Sequence, residues 1–112
     1  MTDLITERNR LMKELDTTAD YLPTYGRRLA VAEREYKISL SRRTLELKQC
    51  GYPVSIIQDV TRGDQEVAEL RFTRDTEREL LKATYEKINV LKLQLRMIQE
   101  DIKIEWGRSN EN

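Results

Sequence analysis

The chain has 112 residues, of which 36% are charged and 6% aromatic, and its twenty Lys plus Arg are balanced by twenty Asp plus Glu. That composition favours long helices over a broad globular core, and a net charge of zero supplies no global field to recruit nucleic acid or a charged substrate. With no histidine and only Cys50 as a thiol, the chain lacks the commonest proton shuttle and any internal disulfide framework. It also has no membrane-length apolar run and no secretory signal over residues 1–10, so a cytoplasmic protein is expected.

The first predicted helix opens at Thr2 or Asp3, either of which can cap free amides, and runs over about 3–50. Leu4, Leu11, Leu15, Leu22, Tyr25, Leu29, Ala32 and Tyr36 fall on one seam of seven-residue spacing, an a/d stripe that buries itself only against another helix. Pro23 has no amide donor and costs about 3 kcal/mol inside a helix. Because the seam keeps its phase across Pro23, the spacing predicts one helix kinked near residue 23, softened by Gly26. Gly51 and Pro53 mark the stop.

Ser55 and Gln58 have the spacing of a capping box, which predicts a short helix over about 55–62 carrying Ile56, Ile57 and Val60 and ended by Gly63. Asp64 then caps a last long helix over about 64–106, with Glu66 and Glu69 near its positive end and a frayed tail over 107–112. Leu81, Ile88, Leu91, Leu95, Ile98 and Ile102 form its seam. The expected fold is all-α: one domain over 1–112, a long, coiled-coil-like antiparallel helical hairpin with a short helix at its tip. Matching the two seams puts Leu15 near Ile98, Leu22 near Leu91, Tyr25 near Ile88 and Ala32 near Leu81.

A two-helix hairpin leaves other apolar positions wet. Val90, Leu93, Met97 and Ile104 make a second stripe on the last helix, and Val31, Ile38 and Leu45 make one on the first. These stripes predict self-association into a dimer or higher oligomer, forming a helical bundle. At the tip, Tyr52, Val54 and Ile56 are expected to face a protein partner, whereas Ile57 and Val60 are expected to pack inward.

No catalytic, cofactor-binding or metal-binding constellation stands out. Cys50, just before Gly51 at a helix C-terminus, faces the negative end of the dipole, which disfavours a thiolate. Asp75, Glu77 and Glu79 are two residues apart on a helix and cannot converge on one metal or bond; pairs such as Asp75 with Arg71 or Arg78, and Glu79 with Lys82, are expected instead. Arg74 and Glu77 hold a/d positions of the last helix, and Ser39 and Arg43 hold the corresponding places of the first. Such polar seam residues either fix register or let the arms splay. A basic cluster that includes Arg42, Arg43, Arg74 and Arg78 gives an alternative function, binding of a phosphate backbone by a DNA-associated accessory protein. Acidic residues interrupt that cluster, and stacking aromatics are scarce there apart from Tyr36 and Phe72.

The segments Glu35-Tyr36-Lys37, Leu47 through Val54, Arg62-Gly63-Asp64, Glu86-Lys87-Ile88-Asn89 and Glu105-Trp106 resemble, in their order, small all-helical proteins of unknown function from bacteriophages and prophages of Gram-positive bacteria. The resemblance spans roughly residues 30–106 and carries no enzymatic activity or catalytic residues with it. It implies an accessory role in the host cytoplasm. The expected function is therefore a non-enzymatic interaction module that binds itself and a phage or host protein, in genome handling or in suppression of a host function.

Overall fold

The computed structural model describes residues 2–111. Four helices follow one another, α1 (Thr2–Asp20), α2 (Leu22–Gln49), α3 (Val54–Gly63) and α4 (Gln65–Glu111), and no strand occurs among the described residues. The described residues are all-α, with a helical hairpin in which α2 and the first part of α4 are the arms and α3 is the tip. Its contacts group into two units, Thr24–Leu81 and Met1–Pro23 with Lys82–Asn112.

The helical run from Thr2 to Gln49 is interrupted close to residue 23, as the proline predicts. Tyr21 stands between α1 and α2 as a turn residue, its N–H bonded to the Thr18 carbonyl at 3.2 Å, and Pro23 becomes the second residue of α2. The reason is local: a proline needs no donor in the first turn of a helix, so the break moves N-terminal of Pro23 and the ring is accommodated without loss of a hydrogen bond.

Gly51 closes α2 as the spacing predicts. It has φ 83°, and the Tyr52 N–H bonds to the Leu47 carbonyl at 3.2 Å while the Gly51 N–H bonds to the Lys48 carbonyl at 3.1 Å. This is a Schellman closure, which satisfies carbonyls left over at the helix end. The capping box at Ser55 does not form. Helix α3 starts one residue earlier, at Val54, with Pro53 as its cap and no side-chain cap bond; the Ile56 N–H bonds instead to the Pro53 carbonyl at 3.1 Å. Inside the first turn, the Ser55 hydroxyl is no longer placed to receive the amide of a third residue onward. Asp64 caps α4 as expected, with its Oδ2 accepting from the Val67 N–H at 3.2 Å.

In the unit Thr24–Leu81, α2 packs against the first part of α4 and α3 covers their ends. Ala32, Ser39, Leu47, Ile57, Thr61 and Val67 are buried. Cross-arm pairs join Arg28 with Glu77, Glu33 with Arg78, Tyr36 with Arg74 and Arg43 with Asp64, and from Glu33 to Arg43 they descend along α4 as an antiparallel pair does. Glu33 and Tyr36 meet α4 within about one turn of the places that seam matching gives, positions 80 and 77, whereas Arg28 meets Glu77 and not Tyr85. The shift follows from the tip, where α4 begins directly after the α3 cap and lays its first turn alongside Arg43.

In the other unit, α1 packs on the second part of α4 around Leu11, Thr84, Ile88 and Leu91, and Leu91 is fully enclosed. Lys87 Nζ lies 3.3 Å from Glu14 Oε1. Seam matching instead puts Glu14 opposite position 99, further along α4 than Lys87. Both seams repeat every seven residues, so they fit in several registers, and their spacing alone does not choose among them. At its far end α4 does not stop at 106; Gly107 is helical and the helix continues to Glu111, with Arg108 Nη1 3.3 Å from Glu105. Residue 112 of the expected frayed tail lies outside the described residues. On α1, Arg10 reaches Glu7 and Glu14, one turn to either side, at 2.9 and 3.1 Å. The hydrogen bond from Arg10 holds the Glu7 carboxyl below its ordinary range.

Candidate functional site

Three surfaces carry the residues singled out from the sequence, and their chemistry differs. The first is the outer stripe of α4. Val90, Leu93, Met97 and Ile104 are each between 47% and 60% exposed, although a helix packs on the opposite side of the same segment at Ile88 and Leu91. Their spacing of three, four and seven residues keeps them on one line, so α4 has two apolar seams and only one is covered within the chain. Met12 and Trp106 are exposed in the same unit. The other unit has its own uncovered stripe, Val31, Ile38 and Leu45, on α2.

The second surface is the tip. Tyr52 and Ile56 are about half exposed and Val54 is 81% exposed, because α3 turns Ile57 and Thr61 inward and leaves the other side of its first turn outside. Ile57 is buried as expected, and Val60 is half-buried. Cys50 is exposed. Between α2 and α3 the chain forms a groove of about 390 Å³ bordered by Tyr36, Leu40, Thr44, Lys48, Val54, Ile57, Gln58, Thr61 and Arg62. The Thr61 hydroxyl is buried there with no hydrogen-bond partner. A buried group left unpaired costs roughly 1–3 kcal/mol. The spacing of chain positions gives no sign of this groove, since it depends on how α3 folds back.

The third surface is the basic cluster, and the structure places carboxylates beside three of its four candidate arginines. Arg78 Nη2 donates to Glu33 Oε1 at 3.1 Å. Arg74 donates to Asp75 Oδ1 from Nε and Nη2 at 3.0 and 2.8 Å, while its guanidinium stacks 4.4 Å above the Tyr36 ring. Arg43 donates to Glu46 at 3.1 Å, and its Nε lies 3.3 Å from Asp64 Oδ1 without hydrogen-bond geometry. Arg42 is exposed and borders a shallow polar hollow with Glu46, Asp64 and Glu66. Asp75 therefore pairs with Arg74, next to it in sequence, and Arg78 with Glu33 across the hairpin; the expected pairing of Asp75 with Arg71 or Arg78 is replaced. The polar seam residues are thus used within the fold: Arg74 and Glu77 cross to α2, and Ser39 is buried.

Among the described residues no group of His, Cys, Asp or Glu is arranged to hold a metal ion, and no helix is long and apolar enough to cross a membrane. Compared with known proteins, the chain matches no family model, no curated sequence and no solved structure.

Proposed function

We propose that this chain is a non-enzymatic interaction module that self-associates along its outer stripes and presents its tip to another protein. The observation that carries this reading is the exposed line of Val90, Leu93, Met97 and Ile104 on a helix whose other seam is already filled. Apolar side chains at that spacing are removed from water by one kind of surface, another helix of matching period. Each fully buried Leu, Val, Ile or Met contributes about 1.5–3 kcal/mol, so even partial cover of four such positions favours association. A second copy of the hairpin is the occupant at hand, and a bundle is the geometry that covers the stripes.

Tyr52, Val54 and Ile56 serve as the docking surface for a different protein. The resemblance to small helical phage proteins supports a phage or host protein as that partner and the host cytoplasm as the setting. The alternative, nucleic-acid binding through Arg42, Arg43, Arg74 and Arg78, has less support because three of these four arginines already contact carboxylates. Sedimentation of the wild type at micromolar concentration tests the module: a dimer or larger species is expected. Leu93→Glu with Met97→Glu should dissociate it while helicity is retained. A fully helical wild-type monomer would refute self-association.

A further inference from the structure

The groove between α2 and α3 differs from the hollows bordered by Glu35, Glu46, Asp64, Glu66 and Glu77 in that its cations have no carboxylate beside them. Arg28, Arg43, Arg74 and Arg78 each contact a carboxylate. Lys48 and Arg62, both on the groove, have no ion pair among the described residues, and no carboxylate borders the groove. Each of the two cations sits in the last turn of its helix. The dipole there offsets a charge of only about one half, so positive potential remains beside the apolar surface of Leu40, Val54 and Ile57.

The groove is also long. Its α2 wall runs from Tyr36 to Lys48, and a second hollow, bordered by Leu40, Ser41, Thr44, Leu45 and Lys48, adjoins it on the face of α2. Twelve residues of helix span about 18 Å, the length of three turns of a partner helix. Elongation, an apolar floor, an exposed wall at Val54 and two cations on the rim match helix-in-groove recognition, in which apolar anchors at three- and four-residue spacing give affinity and charge selects the partner.

From this geometry we propose that the α2–α3 groove binds an amphipathic helix of another protein, about three turns long, apolar on the buried side and bearing Asp or Glu where it meets Lys48 and Arg62. The proposal rests on the interaction-module reading and names the chemistry of the partner at the tip. The partner's carboxylate supplies the counter-ion that the chain itself does not, and its apolar face covers Val54 and Leu45. Specificity comes from the cations, since a basic helix of the same shape is repelled.

Random-peptide display panned on the full-length protein at physiological salt tests it. Peptides that combine Asp or Glu with apolar residues at helical spacing should be enriched. A synthetic peptide of the winning sequence should bind Lys48→Glu/Arg62→Glu at least tenfold more weakly and Val54→Asp more weakly as well. Circular dichroism should show both variants folded, because all three side chains lie at the surface. The same display on the charge-reversed variant should enrich Lys and Arg. Failure to enrich acidic peptides, indifference to charge reversal, or displacement of the peptide by a single-stranded oligonucleotide would each overturn the proposal. Peptides whose binding is lost in Leu93→Glu/Met97→Glu but kept in Lys48→Glu/Arg62→Glu would overturn the groove while leaving the interaction module intact.

Discussion

Arg28 on α2 donates from Nη2 to Glu77 Oε1 on α4 at 2.7 Å, and this pair joins the arms at a position where an apolar seam residue belongs. The Glu77 side chain is only 13% exposed, and its second oxygen is buried without a partner; Arg28 is half exposed and lies near the Tyr25 ring. The carboxylate therefore bears most of the desolvation cost, and the guanidinium offsets it.

An asymmetric mutational response follows. Arg28→Ala removes the counter-ion but leaves Glu77 screened from water, so it should destabilise by about 1–2 kcal/mol, more than an exposed pair contributes. Glu77→Leu removes the buried charge and continues the apolar seam toward Leu81, so it should be neutral or stabilising. Urea unfolding followed by circular dichroism measures both. A loss of stability in Glu77→Leu equal to that in Arg28→Ala would mean that the pair makes a net contribution beyond satisfying itself.

The glycines separate backbone strain from packing. No atom lies within 4 Å of a Cβ built at Gly26 or Gly51, so neither substitution creates a clash. Gly51 holds φ 83°, and an alanine there pays the left-handed penalty of about 1–2 kcal/mol. Gly26 is inside α2, where alanine gains roughly 1 kcal/mol of helix propensity. Thermal melts of Gly51→Ala and Gly26→Ala should therefore move in opposite directions. Equal shifts of the same sign would contradict the helix end assigned to residues 47–52.

How much of this was legible in the sequence depends on the range of each interaction. Gly51 and Asp64 act through their own backbone neighbourhood, and their roles as stop and cap can be read from residue type and position. The exposed lines at Val90, Leu93, Met97 and Ile104 and at Val31, Ile38 and Leu45 follow from helical period alone. The register does not. A heptad seam fits its partner in several registers a turn or more apart, and what selects one here is the way α3 folds and brings Asp64 beside Arg43. The same closure makes the groove at Thr61, which no local spacing encodes. Pro23 acts locally too: it fits the first turn of α2, and the interruption falls at Tyr21, two residues before it.

Thr61 provides a direct test of the tip. Its hydroxyl is buried and unpaired, so Thr61→Val, which keeps the shape and removes the polar atom, should stabilise the fold by about 1 kcal/mol or more. Chemical unfolding of the two proteins under identical conditions gives the difference. Destabilisation would show that the hydroxyl has a partner in solution, such as an ordered water, and that the groove is wetter than its apolar floor suggests.

The last prediction separates the interaction module from its nucleic-acid alternative. A protein held on DNA by free arginines loses affinity steeply with salt, because each neutralised phosphate releases counterions. Here Arg43, Arg74 and Arg78 are engaged by Glu46, Asp64, Asp75 and Glu33, so binding a phosphate would first require those contacts to open, and the neighbouring carboxylates would repel the incoming strand. Fluorescence titration with single- and double-stranded DNA at about 150 mM salt should accordingly give no more than the weak association of non-specific binders, about 10⁻⁴ to 10⁻⁶ M. Replacing Arg42, Arg43, Arg74 and Arg78 with glutamate should then leave the peptide affinity of the α2–α3 groove within severalfold of wild type, provided the fold persists. Submicromolar binding of DNA that this fourfold substitution abolishes would instead make the basic cluster the functional surface and reverse the order of the two readings.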